Sequence, residues 1–459
     1  MMRFVLALVL CWLPAAARQA SDLDAKLSAK IPEMLEASGA PSVSVAVVAN
    51  GRLVYAHAFG KADVAKGRAA DTATRYAIGS ISKQFTAAAL LMLEEQGKLS
   101  LDDKVSKYFA GFTRAGEITI RQLLTHTSGY EDYAPQDYII PAWTKPIAPM
   151  DLLNSWAKKP LNFEPGTEYQ YSNTGYVLAA EIFEKVSGQP LVSFLEERIF
   201  KPLGMSSAGD CQSAEPSDAL AYTRYAGGPA RPAPREGKGW YLGAAELCMT
   251  ATDLARWDIA AFLEKKVLSP HSYAELTHEA RLTNGESTHY GLGVSLGELR
   301  GIPAISHTGE VSGFLASNTV YPTRGAAVIV LSNADNVNLI GPLSREIARI
   351  AFLPEQPPAP EAELNQVRGI LEGLAEGKID RTLFTDNANA YFSETALGDY
   401  KATLAALGAL KSVRRTNESP RGGMLHRSYA AEYEKGTVRL NVYVTPGAKY
   451  EQFLVVVGP

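Results

Sequence analysis

Charge imbalance, cysteine, histidine and long apolar runs are all scarce in this chain, and each shortage removes a class of function. Over 459 residues the formal net charge is -4, and no long basic run gathers positive charge in one place. Nucleic-acid binding needs such a footprint, so a small-molecule or peptide substrate fits better. Among the 7 histidines, His271 and His278 lack the His-Glu-x-x-His arrangement of a zinc peptidase. The apolar run Phe4 to Leu13 is too short for the roughly 20 residues that cross a bilayer. It follows a basic start, Met1 to Arg3, and precedes the small residues Ala15-Ala16-Ala17, the pattern of a secretory signal. Residues 1–17 are therefore expected to be removed after Ala17. The mature chain then begins near Arg18, is periplasmic or secreted, and carries no integral membrane span. Of the 3 cysteines, Cys211 and Cys248 remain after that cleavage. Export favours a disulfide between them, and two unpaired buried thiols are the alternative, because geometry decides.

What is present centres on Tyr76-Ala77-Ile78-Gly79-Ser80-Ile81-Ser82-Lys83-Gln84-Phe85, which runs into the apolar segment Thr86 to Leu93. It reads as a turn opening a buried helix. Helical spacing puts Ser80 and Lys83 one turn apart on one face, so the amine can reach the hydroxyl. A weak nucleophile gains a base in this way. Burial and the positive end of the helix both disfavour a second positive charge, which pushes the lysine toward its neutral, proton-accepting form. Ser-x-x-Lys recurs as Ser155-Trp156-Ala157-Lys158, inside the polar run Asn154 to Lys159, where a solvated helical face is the better reading.

Two further motifs follow. Tyr171-Ser172-Asn173 offers a phenol and an amide two residues apart, which in an extended segment point the same way. A phenol near Lys83 could relay a proton to a leaving group, and an amide could hold a substrate carbonyl or the lysine. His307-Thr308-Gly309-Glu310 lies on or beside a late strand. A glycine there removes the side chain where a ligand must approach the backbone. The Glu310 N–H could join the Ser80 N–H as an oxyanion hole.

The chain divides into segments of different character. Ser21 to Ala37 reads as an amphipathic helix, and Ser42 to Ala49 and Arg52 to Phe59 as a hairpin through Asn50-Gly51. From Leu99 to about Ala280 helix and loop dominate. Strand signals return at Tyr290 to Leu296, Phe314 to Tyr321 and Ala326 to Ser332, and Ile340 to Phe352 closes with a helix. The simplest arrangement is an α/β one: an antiparallel sheet flanked by terminal helices, with an inserted all-helical lobe and the site between them. Pro354, Pro357, Pro358 and Pro360 mark residues 353–361 as a linker. Residues 362–459 then read as a small α+β accessory domain, with Leu364, Val367, Ile370, Leu371 and Leu374 at helical spacing and Val438, Leu440, Val442 and Val444 alternating. In order and length this domain is similar to the cone-shaped NTF2-like domains.

Taken in order, Ser-x-x-Lys, Tyr-x-Asn and His-Thr-Gly resemble the motifs of the penicillin-recognising serine hydrolases, and most closely those of the class C β-lactamase and DD-carboxypeptidase branch. The resemblance spans roughly residues 22 to 352, giving a hydrolase domain over 18–352. Gln122-Leu123-Leu124-Thr125-His126-Thr127-Ser128-Gly129, Pro165-Gly166 and Thr252-Asp253-Leu254-Ala255-Arg256-Trp257 are also similar to that branch. The resemblance implies an acyl-enzyme on Ser80, proton transfer shared by Lys83 and Tyr171, and substrate positioning by Asn173, His307, Thr308 and Gly309. It implies no metal and no cofactor. Many such β-lactamases carry a lysine in the third motif, where this chain has His307 followed by Glu310. A mostly neutral imidazole beside a carboxylate is a poor receptor for a substrate carboxylate. The expected substrates are therefore D-amino-acid peptides, amides or small esters. A β-lactamase or a catalytically silent binder of wall peptides is the alternative.

Overall fold

The computed structural model describes residues 15–136, 138–213, 218–353 and 359–457. Residues 1–14 of the expected leader and 354–358 of the expected linker lie outside the described residues. The chain forms two compact units that meet in sequence at Leu353 and Pro354.

In the first unit a seven-stranded antiparallel sheet runs in the order Arg68–Ala69, Arg52–Asp63, Ser42–Ala49, Ala326–Ser332, Phe314–Tyr321, Ile302–Val311, Ser295–Leu299. Asn50 and Gly51 both take positive φ, which closes the first hairpin with the twist its strands require. Strand Ser42–Ala49 is buried without alternation from Ser42 to Val48 because both its faces are covered. Val43, Val45 and Val47 pack with Leu27, Ile31, Leu343 and Ile347 of the helices Ala15–Ser38 and Ile340–Ala351. Ala46 and Val48 belong instead to the core shared with the helical lobe. At the centre of that core lies helix Ser82–Glu95, buried from Ser82 through Leu93.

The segment Tyr290 to Leu296, expected as a strand, is one only from Ser295. Positive φ at His289 and Gly293 turns the chain before the sheet begins, and Tyr290 is delivered to the cleft. The short strand Leu247–Met249 pairs on one side with Tyr76–Ala77, just before the Ser80 turn, and on the other with Gly209–Asp210. This brings Cys211 and Cys248 together, and the structure bonds them with 4.8 Å between their Cα atoms.

The second unit places helices Glu361–Glu376, Asp386–Tyr391 and Glu394–Ala406 ahead of four antiparallel strands in simple sequential order, Leu410–Arg421, Met424–Tyr433, Gly436–Val444 and Tyr450–Val457. Val367, Ile370, Leu371 and Leu374 meet Val438, Leu440, Val442 and Val444 in one core. This is the α+β arrangement that the two periodicities call for. Among the described residues, no helix is long and apolar enough to cross a membrane.

Candidate active site

The chain reaches the site through a 3-10 turn, Gly79–Ile81, that continues into helix Ser82–Glu95. Gly79 has φ +52, and a Cβ there would sit 2.6 Å from the Glu310 nitrogen. A Cβ on Gly309 would stand 1.9 Å from the Ile78 carbonyl oxygen. The turn and strand Ile302–Val311 therefore touch backbone to backbone. Gly309 makes room for the chain's own Ile78, which corrects the reading that it clears space for a ligand. Glu310 and Ser80 are brought to neighbouring positions by the same contact.

Lys83 is fully buried, and its ammonium nitrogen has three acceptors: Ser80 Oγ at 3.0 Å, Asn173 Oδ1 at 2.8 Å and the Ala244 carbonyl at 3.0 Å. Burial drives Lys83 down from the ordinary lysine value to about 7, against the opposing pull of the Asp132 carboxylate. Asp132 accepts from the Asn173 backbone N–H at 3.0 Å and from its side-chain amide at 3.2 Å. Both ends of the Asn173 amide are thus used inside the protein, one on the lysine and one on the carboxylate. Helix Asn173–Ser187 begins within the second motif, with Ser172 as its N-cap, so Tyr171 and Asn173 straddle a helix start and do not share an extended segment. Both still reach the lysine, whose nitrogen lies 4.8 Å from the Tyr171 ring centre. Burial pushes the Tyr171 phenol well above its ordinary value, only partly offset by its hydrogen bond with Ser80. It remains protonated at neutral pH.

His307 is buried, while Thr308 and Glu310 are exposed on the other face of the strand. Its Nδ1 lies 2.5 Å from the Thr308 carbonyl oxygen, which can only accept, so Nδ1 carries the proton. Nε2 then accepts from the Tyr290 hydroxyl at 2.8 Å. Burial first, and the nearby Lys83 second, lower His307 to about 4. The imidazole is neutral, and its two nitrogens already have partners.

Ser80, Asn173, Tyr171, His307, Thr308 and Glu310 line one cleft of about 610 Å³. Ala134 to Gln136 and Glu236 contribute to its wall. Asp132, Glu236, Glu310 and Asp335 supply carboxylates, and no arginine or lysine lines the cleft among the described residues. Glu236 takes hydrogen bonds from the Tyr241 hydroxyl and from the Ser312 N–H at 3.0 Å, and burial raises its carboxyl. The second Ser-x-x-Lys does not join the site: Ser155 caps back on the Asp151 carbonyl at 2.9 Å, and Lys158 is exposed. Sequence reasoning missed Asp132, Ala244 and Tyr290, which carry no motif and reach their hydrogen-bond partners in the site only through the tertiary fold.

A serine held by a buried, weakly basic lysine beside a protonated tyrosine, at the junction of a sheet and a helical lobe, defines a serine hydrolase. The family model described as Beta-lactamase matches residues 27–349, and the chain belongs to that family. Relatives include "Penicillin-binding protein 4*" of Bacillus subtilis, 32% identical over 313 residues, covering 64% of this chain and 68% of that one. The chain is also similar to a D-aminopeptidase of Brucella canis, 29% identical over 323 residues, covering 69% of this chain and 61% of that one. In fold it resembles the octameric penicillin-binding protein homologue from Pyrococcus abyssi, with TM-score 0.63, 21% identity, and coverage of 95% of this chain and 96% of that one.

Proposed function

We propose that this protein is an exported hydrolase that cleaves D-aminoacyl amides, D-amino-acid peptides or small esters through an acyl-enzyme on Ser80. The observation that carries the reading is the set of acceptors around Lys83. Asn173 Oδ1 and the Ala244 carbonyl can only accept. In the neutral amine they take both N–H groups, which leaves the lone pair facing the Ser80 hydroxyl at 3.0 Å. Lys83 is then the base that receives the serine proton as Ser80 Oγ bonds to the acyl carbon. Tyr171 passes its proton to the departing amine or alkoxide and takes one from the Lys83 ammonium, so that the phenol and the neutral lysine are both restored. The Ser80 and Glu310 N–H groups receive the developing oxyanion.

Substrate class follows from charge. A cleft lined by four acidic side chains and by no arginine or lysine among the described residues, with a neutral His307 in place of a cation, offers a substrate carboxylate no cationic partner and a free amine several acceptors. That supports the amide, aminopeptidase and ester chemistries over efficient β-lactam hydrolysis, and the similarity to a D-aminopeptidase supports it independently. The bonded Cys211 and Cys248 support export, as does the leader pattern at residues 1–17.

The test is intact mass and turnover of the mature protein with D-aminoacyl p-nitroanilides, p-nitrophenyl esters and a penicillin, with Ser80→Ala alongside. The expected result is turnover of anilides or esters by the wild type, none by Ser80→Ala, and little consumption of the drug. Undiminished turnover in Ser80→Ala would overturn the acyl-enzyme. A long-lived penicillin adduct on the wild type alone would narrow the substrate to D-amino-acid peptides of the DD-peptidase kind, and rapid consumption of the drug would overturn the substrate class in favour of a β-lactamase.

A further inference from the structure

Tyr171 hangs between two hydrogen bonds made by one residue far away in sequence. The Gln170 N–H donates to the His126 carbonyl at 3.0 Å, and the Ser172 N–H donates to His126 Nδ1 at 3.1 Å. The backbone is gripped on either side of Tyr171 by the main chain and the side chain of His126. The His126 ring also lies 4.2 Å from the Tyr171 ring, tilted by 32°. We propose that His126 is the positioning residue of Tyr171, fixing the phenol where it can serve proton transfer between Ser80 and the leaving group. The proposal rests on the role given to Tyr171 above.

Packing alone does not account for His126. The residue is 1% exposed and its φ is +58, a left-handed backbone that costs a non-glycine residue strain. That turn is held by the Thr127 N–H on the Gln122 carbonyl at 3.0 Å and the Gly166 N–H on the Thr127 carbonyl at 2.8 Å. Because the Ser172 N–H can only donate, Nδ1 is the acceptor and the proton of the neutral ring is on Nε2. Nε2 finds no hydrogen-bond partner among the described residues; the His126 ring packs among those of Tyr171, Tyr176 and Tyr290, whose centres lie 4.2, 5.2 and 4.8 Å from its own. A phenylalanine would fill this space without burying an unpaired N–H. The strain and the orphaned proton are two costs, and the feature that only the histidine supplies in return is the acceptor at Ser172.

The surroundings also keep that acceptor available. Every titratable group facing the ring works against a second proton or leaves it unchanged. Burial, then Lys83, then His307 hold His126 well below the usual histidine range, and the neighbouring tyrosines are pushed above theirs by burial. Nδ1 therefore stays unprotonated wherever Lys83 is working.

A double-mutant cycle on the hydrolysis of a D-aminoacyl p-nitroanilide, whose leaving amine must be protonated as it departs, tests the proposal. His126→Phe keeps a ring and deletes the acceptor; it should lower kcat by about 10- to 100-fold with KM changed less than about twofold. His126→Asn keeps an acceptor and tolerates the left-handed backbone, and should recover part of that loss. In a Tyr171→Phe background the same His126→Phe change should cost less than about twofold. An equal loss in both backgrounds, or a His126→Phe kcat near wild type while Tyr171→Phe is impaired, would overturn the positioning role alone. Wild-type kcat in Tyr171→Phe would overturn the relay and the proposal with it. A readout independent of variant folding is nitrogen NMR of the wild-type histidines. His126 should hold its proton on Nε2 without titrating from about pH 5 to about pH 9, and an Nδ1-protonated ring would overturn the proposal.

Discussion

Lys83 in the first unit and Arg415 in the second are both buried cations, and their partners differ in charge. Lys83 is held by a hydroxyl, an amide oxygen and a backbone carbonyl, and the nearest carboxylate, Asp132, acts on it through space and through Asn173. Arg415 touches two carboxylates directly, Glu363 at 3.0 Å and Glu418 at 2.8 Å. Glu363 is shared further with Arg427 at 3.2 Å and with the Tyr429 hydroxyl at 2.8 Å. A buried amine with neutral acceptors gives up its proton easily and becomes a reagent. A buried guanidinium cross-linked to carboxylates stays charged and becomes a fastening. The same expense of burying charge thus supports chemistry in one unit and architecture in the other.

The contrast can be broken most directly at Lys83. Replacing it in Lys83→Met should lower acyl transfer by about 10²- to 10⁴-fold while leaving the fold as stable or more so, because an unmatched buried cation is replaced by an apolar side chain. A large fall in thermal midpoint would show that Lys83 is a fastening too. In the second unit Glu363→Leu should do the reverse. It removes one of the two carboxylates, Glu363 and Glu418, that Arg415 and Arg427 share and should cost about 3–5 kcal/mol, read as an earlier urea transition of that unit. If the variant is as stable as the wild type, the cluster is not the fastening described.

Reduction of Cys211–Cys248, or their joint replacement by alanine, should destabilise the first unit by about 2–4 kcal/mol, measured by thermal melts with and without reductant. The bond ties strand Leu247–Met249, which follows the Ala244 acceptor, to the lobe, so kcat should fall with it.

The smallest effect is a pH dependence. Acylation needs neutral Lys83, so its rate should rise with pH up to about 7, about tenfold per unit on the acid limb, and level off above. The folded value of Lys83 lies below the unfolded one, so between about 7 and the ordinary lysine value of 10.5 the unfolded chain binds more protons. Stability from this group therefore rises with pH across that window and is lowest below 7. Lys83→Met should flatten that slope, and an unchanged slope would place the titration elsewhere.

Much of this contrast was legible from periodicity and much was not. The strands Phe314–Tyr321 and Ala326–Ser332 fall on the residues where their apolar runs lie, because a run of that length bounded by glycine and asparagine has few other ways to bury itself. The Asn50-Gly51 hairpin and the one-turn spacing of Ser80 and Lys83 are properties of local backbone geometry and needed no partner to be read. Tyr290 lies in an apolar stretch that resembles a strand, and only the turn at His289 and Gly293 sends it to His307. Gly309 looked like a place for a ligand because close approach was evident and the approaching group was not.

The sequence by itself determined the hydrophobic pattern of both units, the one-turn spacing of Ser80 and Lys83, and the type of chemistry those two residue types allow. Tertiary structure alone decided what surrounds them: Asp132 behind Asn173, Ala244 as the third acceptor on Lys83, and His126 around Tyr171. The division has a physical cause. Periodicity and turn chemistry act over a few residues, whereas the proton affinity of a buried group depends on burial and on neighbours delivered from 46, 90 or 161 positions away.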